Sequence, residues 1–274
     1  MKPQDYHKNL VCNRANIFSK SSFLSKSVLW ELENKTPKAW RFAPREFVAS
    51  DAMAFGSAVD CKLLTPDLFG AEFTTSPFDS FRTKEAKEWK AEQIASGVTI
   101  LTDERLKEVG KAIESIESHP IAGPMLDLAN GKSQSIQTGK IKGVNFKSML
   151  DFVESDMPYL TDLKTIRKVD RRTIEKHSFD FGYAIQAAIY RKLWNQNHPE
   201  DQRQGFRFVW VESCAPYEVA VTEMPESDIQ YGEAAAVALL DRLIDCTQSN
   251  HWPGPFDDKV AEIGLPAWAE GIES

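Results

Sequence analysis

Two carboxylates and one amine carry the chemistry of this chain: Asp151, Asp162 and Lys164, within the segment KSMLDFVESDMPYLTDLK at residues 147–164. Side chains of a strand alternate between faces, so the i, i+2 pair Asp162 and Lys164 shares one surface while Leu163 points to the other. The charged turn Glu154-Ser155-Asp156 and Pro158 suit a hairpin connection that lays the strand of Asp151 beside the strand of Asp162. Two carboxylates then converge beside one lysine. Oxygen-rich clusters of this kind suit Mg²⁺ or Mn²⁺, hard cations that prefer carboxylate, carbonyl and water ligands. The lysine could orient or help deprotonate a water held by such an ion, or neutralise charge developing on a phosphate. The plainer alternative for a lone Asp-x-Lys is an exposed ion pair between strands, which is common and weakly stabilising.

Several elements must position these groups. Residues 133–138, 143–154 and 159–165 alternate well enough to be three antiparallel strands, and they form the sheet that bears the acids. Arg167, Lys168, Arg171, Arg172 and Lys176 follow at once, a local basic excess diluted by Asp170 and Glu175. This segment reads either as a phosphate-contacting edge or as a solvated helix start. The stretch DFGYAIQAAIYRKLW is helical, with Tyr183, Gln186, Ala187 and Tyr190 on one face, and an amide between two tyrosines is unusual for pure core. Upstream, residues 50–64 read as a helix ended by Thr65-Pro66, with Ala54, Gly56, Ser57 and Ala58 allowing close packing. Asp60 falls among apolar neighbours on that helix and needs a cation or metal partner.

Elsewhere, Ser25 or Ser27 caps a helix with the apolar stripe Val28, Leu29 and Leu32, which Pro37 closes. Residues 69–82 read as a loop at the mouth of an active site, residues 83–95 and 102–118 as charged amphipathic helices, and residues 120–128 as a short helix. Strands FRFVWVE and YEVAVTEM are hinged at Ala215-Pro216, and residues 225–249 form a long helix. The organisation expected is an irregular segment at 1–20, one domain over 21–249, and a Pro/Gly-rich tail at 250–274 that packs through its tryptophans or joins subunits, or, more simply, lies on the surface.

With 274 residues, 42% hydrophobic and 27% charged, the chain is long enough to bury a sizeable core. A formal net charge of -7 argues against a generally basic nucleic-acid coat protein, yet leaves room for one basic groove. No run approaches the roughly 18 apolar residues that cross a bilayer, and MKPQDYHKNL lacks the apolar centre of a secretory signal, so a soluble, cytoplasmic protein is expected. Cys12, Cys61, Cys214 and Cys246 lack C-x-x-C spacing; reduced thiols are expected rather than a zinc or iron–sulfur site.

The order GSAVDCKLLTPDLF, MLDFV, LTDLKT, GYAIQAAIYRKLW resembles the PD-(D/E)XK nuclease superfamily, specifically the RecE-like (exonuclease VIII) catalytic domain of phage and prophage recombination systems. LSKSVLWELENKTPKAW also looks like that family's N-terminal helix, so the resemblance covers most of residues 20–225. It implies an α/β fold with a restriction-endonuclease-like core, a central mixed β-sheet flanked by helices, and a helical N-terminal part. It implies a Mg²⁺-dependent exodeoxyribonuclease, with Mn²⁺ substituting, that degrades linear double-stranded DNA from 5′ ends. The 3′ single strands left behind would pass to a single-strand annealing (RecT-like) partner, and the enzyme would be a ring-like homo-oligomer threading DNA. Asp151 and Asp162 match the metal-binding acids, Lys164 the motif lysine, and Gln186 with Tyr190 the Q-x-x-x-Y helix that positions DNA or the catalytic groups. The backbone carbonyl of Leu163 would be a further metal ligand.

Two positions depart from the pattern. Asp60 stands where the family usually has a histidine, and Gln134 where it often has a glutamate, which leaves the number of ions at one or two. The reaction expected is phosphodiester hydrolysis in which Asp60, Asp151 and Asp162 hold Mg²⁺ and Lys164 acts on the attacking water. Arg167, Lys168, Arg171, Arg172 and Lys176 would steer the DNA backbone through salt-sensitive, sequence-independent contacts. The competing readings are a catalytically weak DNA-end-binding scaffold for an annealing protein, and a structure-selective or single-strand endonuclease of the same fold.

Overall fold

The computed structural model describes residue 6 and residues 8–44, 50–257 and 259–265. In α1 (Lys26–Trp30), extended Ser25 accepts the Val28 amide hydrogen at 3.3 Å and so caps the helix. A 3₁₀ turn, Glu31–Glu33, follows. Pro37 then opens α2 (Pro37–Phe42) instead of closing the first helix. A proline at the first helical position forfeits no hydrogen bond, and Thr36 caps that end. Capped by Ser50, α3 (Asp51–Leu64) carries Asp60. Pro66 likewise starts α4 (Pro66–Glu72), so the loop expected over 69–82 is, in its first half, a helix end and a short strand, β1 (Phe73–Thr75). β1 pairs in parallel with β2 (Thr99–Leu101) across the intervening α5 (Lys84–Ala95). Thr102 caps α6 (Asp103–Ser118), and α7 (Ala122–Met125) is short.

The main sheet has five strands in chain order: β3 (Gly131–Ile141), β4 (Val144–Glu154), β5 (Tyr159–Ile166), β6 (Gly205–Glu212) and β7 (Val219–Glu223). All neighbours are antiparallel except β5 and β6, which run parallel. A parallel pair needs a crossover, supplied here by α8 (Arg171–Asp180) and α9 (Tyr183–Asn197). The last helix, α10 (Glu226–Ser249), lies so close to α9 that a Cβ at Gly232 would stand 2.1 Å from the Ala184 carbonyl oxygen.

Alternation divides the core between the two faces of the sheet. Leu163, Val209 and Val211 pack with Phe55, Val59 and Ile116 of α3 and α6. Leu160, Phe206, Phe208 and Trp210 pack with Tyr183, Ala187 and Trp194 of α9. A third cluster joins Ile17, Leu24, Leu29 and Trp40 to Phe146, Leu240 and Trp252. The described part of the lead-in is therefore more packed than expected, and the tail packs through a tryptophan, as one of its readings had it. Residues in the stretch read as an irregular lead-in, Leu10 and Ile17, are buried, and Trp252 of the tail stacks on Trp40 at 5.9 Å between centroids. Trp268 lies outside the described residues. Cys12, Cys61 and Cys246 are buried and Cys214 is exposed, with no disulfide among the described residues. No helix among them is long and apolar enough to cross a membrane.

Candidate active site

β5 supplies the central pair. With Leu160 and Ile166 it turns Asp162 and Lys164 toward α9. The Lys164 ammonium contacts one Asp162 oxygen, and the other accepts from Gln186 Nε2 in the first turn of α9. Asp162 is only 2% exposed and the Lys164 side chain 20%, so the pair is largely shielded from solvent rather than the exposed ion pair that the spacing alone allowed. β4 runs antiparallel to β5 with Phe152 opposite Thr161, which sets Asp151 next to Asp162. The Asp151 carboxylate accepts the Leu163 backbone N–H at 2.9 Å.

Asp60 arrives from α3, whose approach to β5 depends on Gly56, since a Cβ there would stand 2.7 Å from Thr165 Oγ1. Its carboxylate accepts from Gln134 Nε2 at 2.8 Å. Gln134 reaches it from a left-handed backbone, φ 49°, a conformation that strains a residue with a Cβ. Pairing of β3 with β4 skips both Gln134 and Asp151. The break also disturbs the alternation of β4: Leu150 packs on the α9 side and Phe152 on the α3 side, although they are two residues apart. Local distortion of the ladder thus turns a strand amide onto the helix acid.

These acids raise one another. Burial, and then the charge of Asp162, push Asp60 up to about 7. Burial, then Asp162 and Asp60, hold Asp151 well above the usual carboxylate range. Burial would lower Lys164, but the charge of Asp162, with Tyr183 and Asp151, outweighs it and keeps the amine above its ordinary range, protonated at neutral pH. Asp60, Asp151, Leu163 and Lys164 line a cleft of about 1560 Å³ that Glu72, Phe73 and Gly97 also border. The segment expected at the mouth of the site therefore does border it, through α4 and β1.

Among the described residues, no three Asp, Glu, His or Cys side chains gather around one point as they stand. The donor set nevertheless suits a hard cation: carboxylates that resist ionisation because of burial and mutual repulsion are relieved by a divalent charge. Asp60, Asp151 and Asp162 are the residues that could hold it.

Other expected residues are less central. Tyr190 shares the face of Gln186 but packs edge-on to Phe206 at 6.3 Å, and burial drives its hydroxyl well above its ordinary range. Of the basic segment, Arg167 lines the cleft. Lys168, Arg171 and Lys176 pair with Asp170, Glu175 and Asp180 at the surface, while Arg172 is exposed. Much of the local basic excess is thus neutralised close by. One group escaped the sequence reading. Lys26, between two serines that suggest only a cap, is buried. Its ammonium donates to the Phe181 carbonyl and lies 5.1 Å from the centroid of Tyr183, whose ring also bears Lys164 at 5.0 Å. Burial, and then the Lys164 charge, bring Lys26 down to about 7. Its i, i+3 spacing from buried Leu29 was the available signal.

Comparison with known proteins adds the following. A family model described as a PDDEXK-like domain of unknown function (DUF3799) matches residues 32–258. No curated protein matches the sequence. Among solved structures, a candidate exonuclease from Eubacterium rectale superposes with a TM-score of 0.64 at 15% identity, over 99% of this chain and 98% of its own. That likeness is one of fold. The alkaline exonuclease of Laribacter hongkongensis matches with a TM-score of 0.31 and 16% identity, over 68% of this chain and 96% of its own. A phage-related exonuclease from Haemophilus somnus matches with a TM-score of 0.35 and 11% identity, over 89% and 95%.

Proposed function

The chain belongs to the PDDEXK-like family matched over residues 32–258, and on that footing we propose that it is a divalent-metal-dependent nuclease that hydrolyses DNA phosphodiesters from the ends of linear duplexes. The observation that carries this reading is the group formed by buried Asp162 with half-buried Asp151, Lys164 and Asp60, the last three lining an open cleft.

A divalent ion held by Asp60, Asp151, Asp162 and the Leu163 carbonyl would lend positive charge to the phosphate and acidify a water. Mg²⁺ is the ion proposed, with Mn²⁺ able to replace it. The protein's own residues do the rest. Lys164, held as an ammonium, suits neutralisation of charge developing on the phosphate better than proton removal. Gln186 fixes the Asp162 carboxylate, and the Leu163 N–H fixes that of Asp151. Gln134 orients Asp60, and Arg167 offers a cation to the DNA backbone where it enters. Polarity from 5′ ends, 3′ tails passed to a single-strand annealing protein, and a ring of subunits around the duplex belong to the same reading. They rest on the resemblance of the motif order to RecE-like exonucleases.

The test is digestion of linear duplex labelled separately at 5′ and 3′ ends, with Mg²⁺ and with EDTA, beside a closed circle. Early release of 5′ label as mononucleotide, only with metal and only from linear DNA, is expected. Fragments from the circle would turn the assignment to an endonuclease. A scaffold that binds DNA ends without cutting is favoured by one observation, that Asp60 and Asp162 already have partners in Gln134, Gln186 and Lys164. DNA binding with no release in either Mg²⁺ or Mn²⁺ would select it.

A further inference from the structure

The last residues of α8 and the turn into α9 present apolar rings to solvent. Phe179 and Phe181 are 67% and 50% exposed, and Phe181 lines the same cleft as Asp60, Asp151 and Lys164. The turn is nevertheless held from behind by α1. The Lys26 ammonium donates to the Phe181 carbonyl, and Trp30 Nε1 donates to the Asp180 carbonyl at 3.2 Å. The Trp30 ring covers Gly182, which is left-handed at φ 62° and where a Cβ would meet that ring at 2.6 Å. A turn tied down in this way holds its exposed ring in a fixed place.

The ring is also the outer member of an aromatic series. His177 lies 4.3 Å from Phe181 between centroids, and Tyr183 is stacked at 6.1 Å with 23° between planes. Two ammonium groups, Lys26 and Lys164, sit on the Tyr183 ring behind it. Phe181, His177, Tyr183 and Lys164 line one cleft, so an exposed π face and an ammonium are offered to the same ligand and match the two halves of a nucleotide: base on the ring, phosphate on Lys164.

We propose that Phe181 is a stacking platform for the nucleobase that flanks the phosphodiester held at Lys164. This rests on the nuclease reading of the same cleft and adds a base-binding subsite to it. Because any base offers a π face, the subsite would be tolerant of sequence.

The test uses the full chain in Ca²⁺, with linear duplex carrying 2-aminopurine as one unpaired nucleotide at its 5′ end, and Phe181→Ala beside Phe181→Trp. Wild type and F181W should quench the fluorophore, whereas F181A should not and should bind at least about 5-fold more weakly, the lower end of what one base–aromatic stack supplies. In Mg²⁺, F181A should raise KM more than it lowers kcat. Equal binding and equal quenching by F181A overturn the platform. If F181A changes the oligomeric state while quenching persists, the ring is a subunit contact and the platform is likewise overturned. Should the wild type cut and bind normally in either of these cases, the nuclease reading stands alone. Should the wild type neither bind nor cut linear duplex, both fall. The exposure of the ring makes misfolding of F181A easy to recognise by comparing thermal melts.

Discussion

Asp60 and Asp151 ionise reluctantly because burial and neighbouring carboxylates oppose it. A carboxyl raised in the folded state contributes stability that is fully present below its unfolded value and is lost as pH rises through the folded one. For Asp60 that window runs from 3.8 to about 7. Ion-free protein should therefore lose stability across it, and Asp60→Asn should flatten the decline. A divalent ion among the acids works in the opposite sense, so Mg²⁺ should raise Tm more at pH 8 than at pH 5. Thermal melts of both proteins over this range, with EDTA and with Mg²⁺, decide it; a Tm indifferent to metal at pH 8 would remove the proposed ion site. Lys164 has a structural duty besides its proposed chemical one. Lys164→Met leaves Asp162 buried without its counterion and should cost about 3–5 kcal/mol as well as cleavage. In the double variant D162N/K164M, stability should largely return and cleavage should not. Recovery of both would mean that the pair serves folding alone. The positions of Asp151, Asp162, Lys164 and Gln186 were legible because strand alternation and helical spacing are local rules. The bond from Gln134 to Asp60 was not, since it spans 74 residues and needs a left-handed backbone in a strand. Lys26 offered only its i, i+3 spacing from Leu29, and what lies above it is shown by the fold.

At the scale of elements, the site is held by the approach of α3 to β5, and Gly56 is the narrowest point, because a Cβ there would stand 2.7 Å from Thr165 Oγ1. Gly56→Val would force α3 outward and draw Asp60 away from Asp151 and Asp162. Overpacking of this kind destabilises by about 1–3 kcal/mol. Cleavage should fall by more than the loss of folded protein explains, measured by urea melts and by rate per folded molecule; a rate that simply follows the folded fraction would show that Asp60's placement is immaterial. The strands bearing the acids, β4 and β5, and the helices α3, α6 and α9 agree closely with the elements expected from periodicity and capping residues. Pro37 misled because proline both ends helices and begins them, whereas Pro66 does follow the end of α3 at Leu64 as expected and also opens α4. The cap at Thr36 was the distinguishing sign at Pro37, whereas Thr65 makes no side-chain cap. β1 and β2 are three residues each and pair with one another outside the main sheet, too short for alternation to declare itself.

Over the whole molecule, the mixed sheet flanked by helices was readable from motif order, and the tryptophans of the tail suggested its packing, whereas the packing of the lead-in was not legible. Its polar composition hid Ile17, which joins Trp40 and Trp252 in one cluster across more than 200 residues of sequence. The same scale governs how DNA would be held. The chain carries a formal net charge of -7, and the cations lining the cleft are Lys8, Lys164 and Arg167. Long-range attraction is then weak and binding must come from the cleft itself. If these three groups each neutralise one phosphate, log K should fall with log salt at a slope of about -2.7, or roughly 40-fold in affinity from 50 to 200 mM. A ring threading one duplex would bring the cations of several subunits to the same DNA and steepen that slope in proportion. Titrating linear duplex with Phe181 intact, across that salt range and at protein concentrations that bracket any assembly, separates the two. A shallow slope at every concentration would count against the ring, and a slope that steepens as the protein assembles would support it.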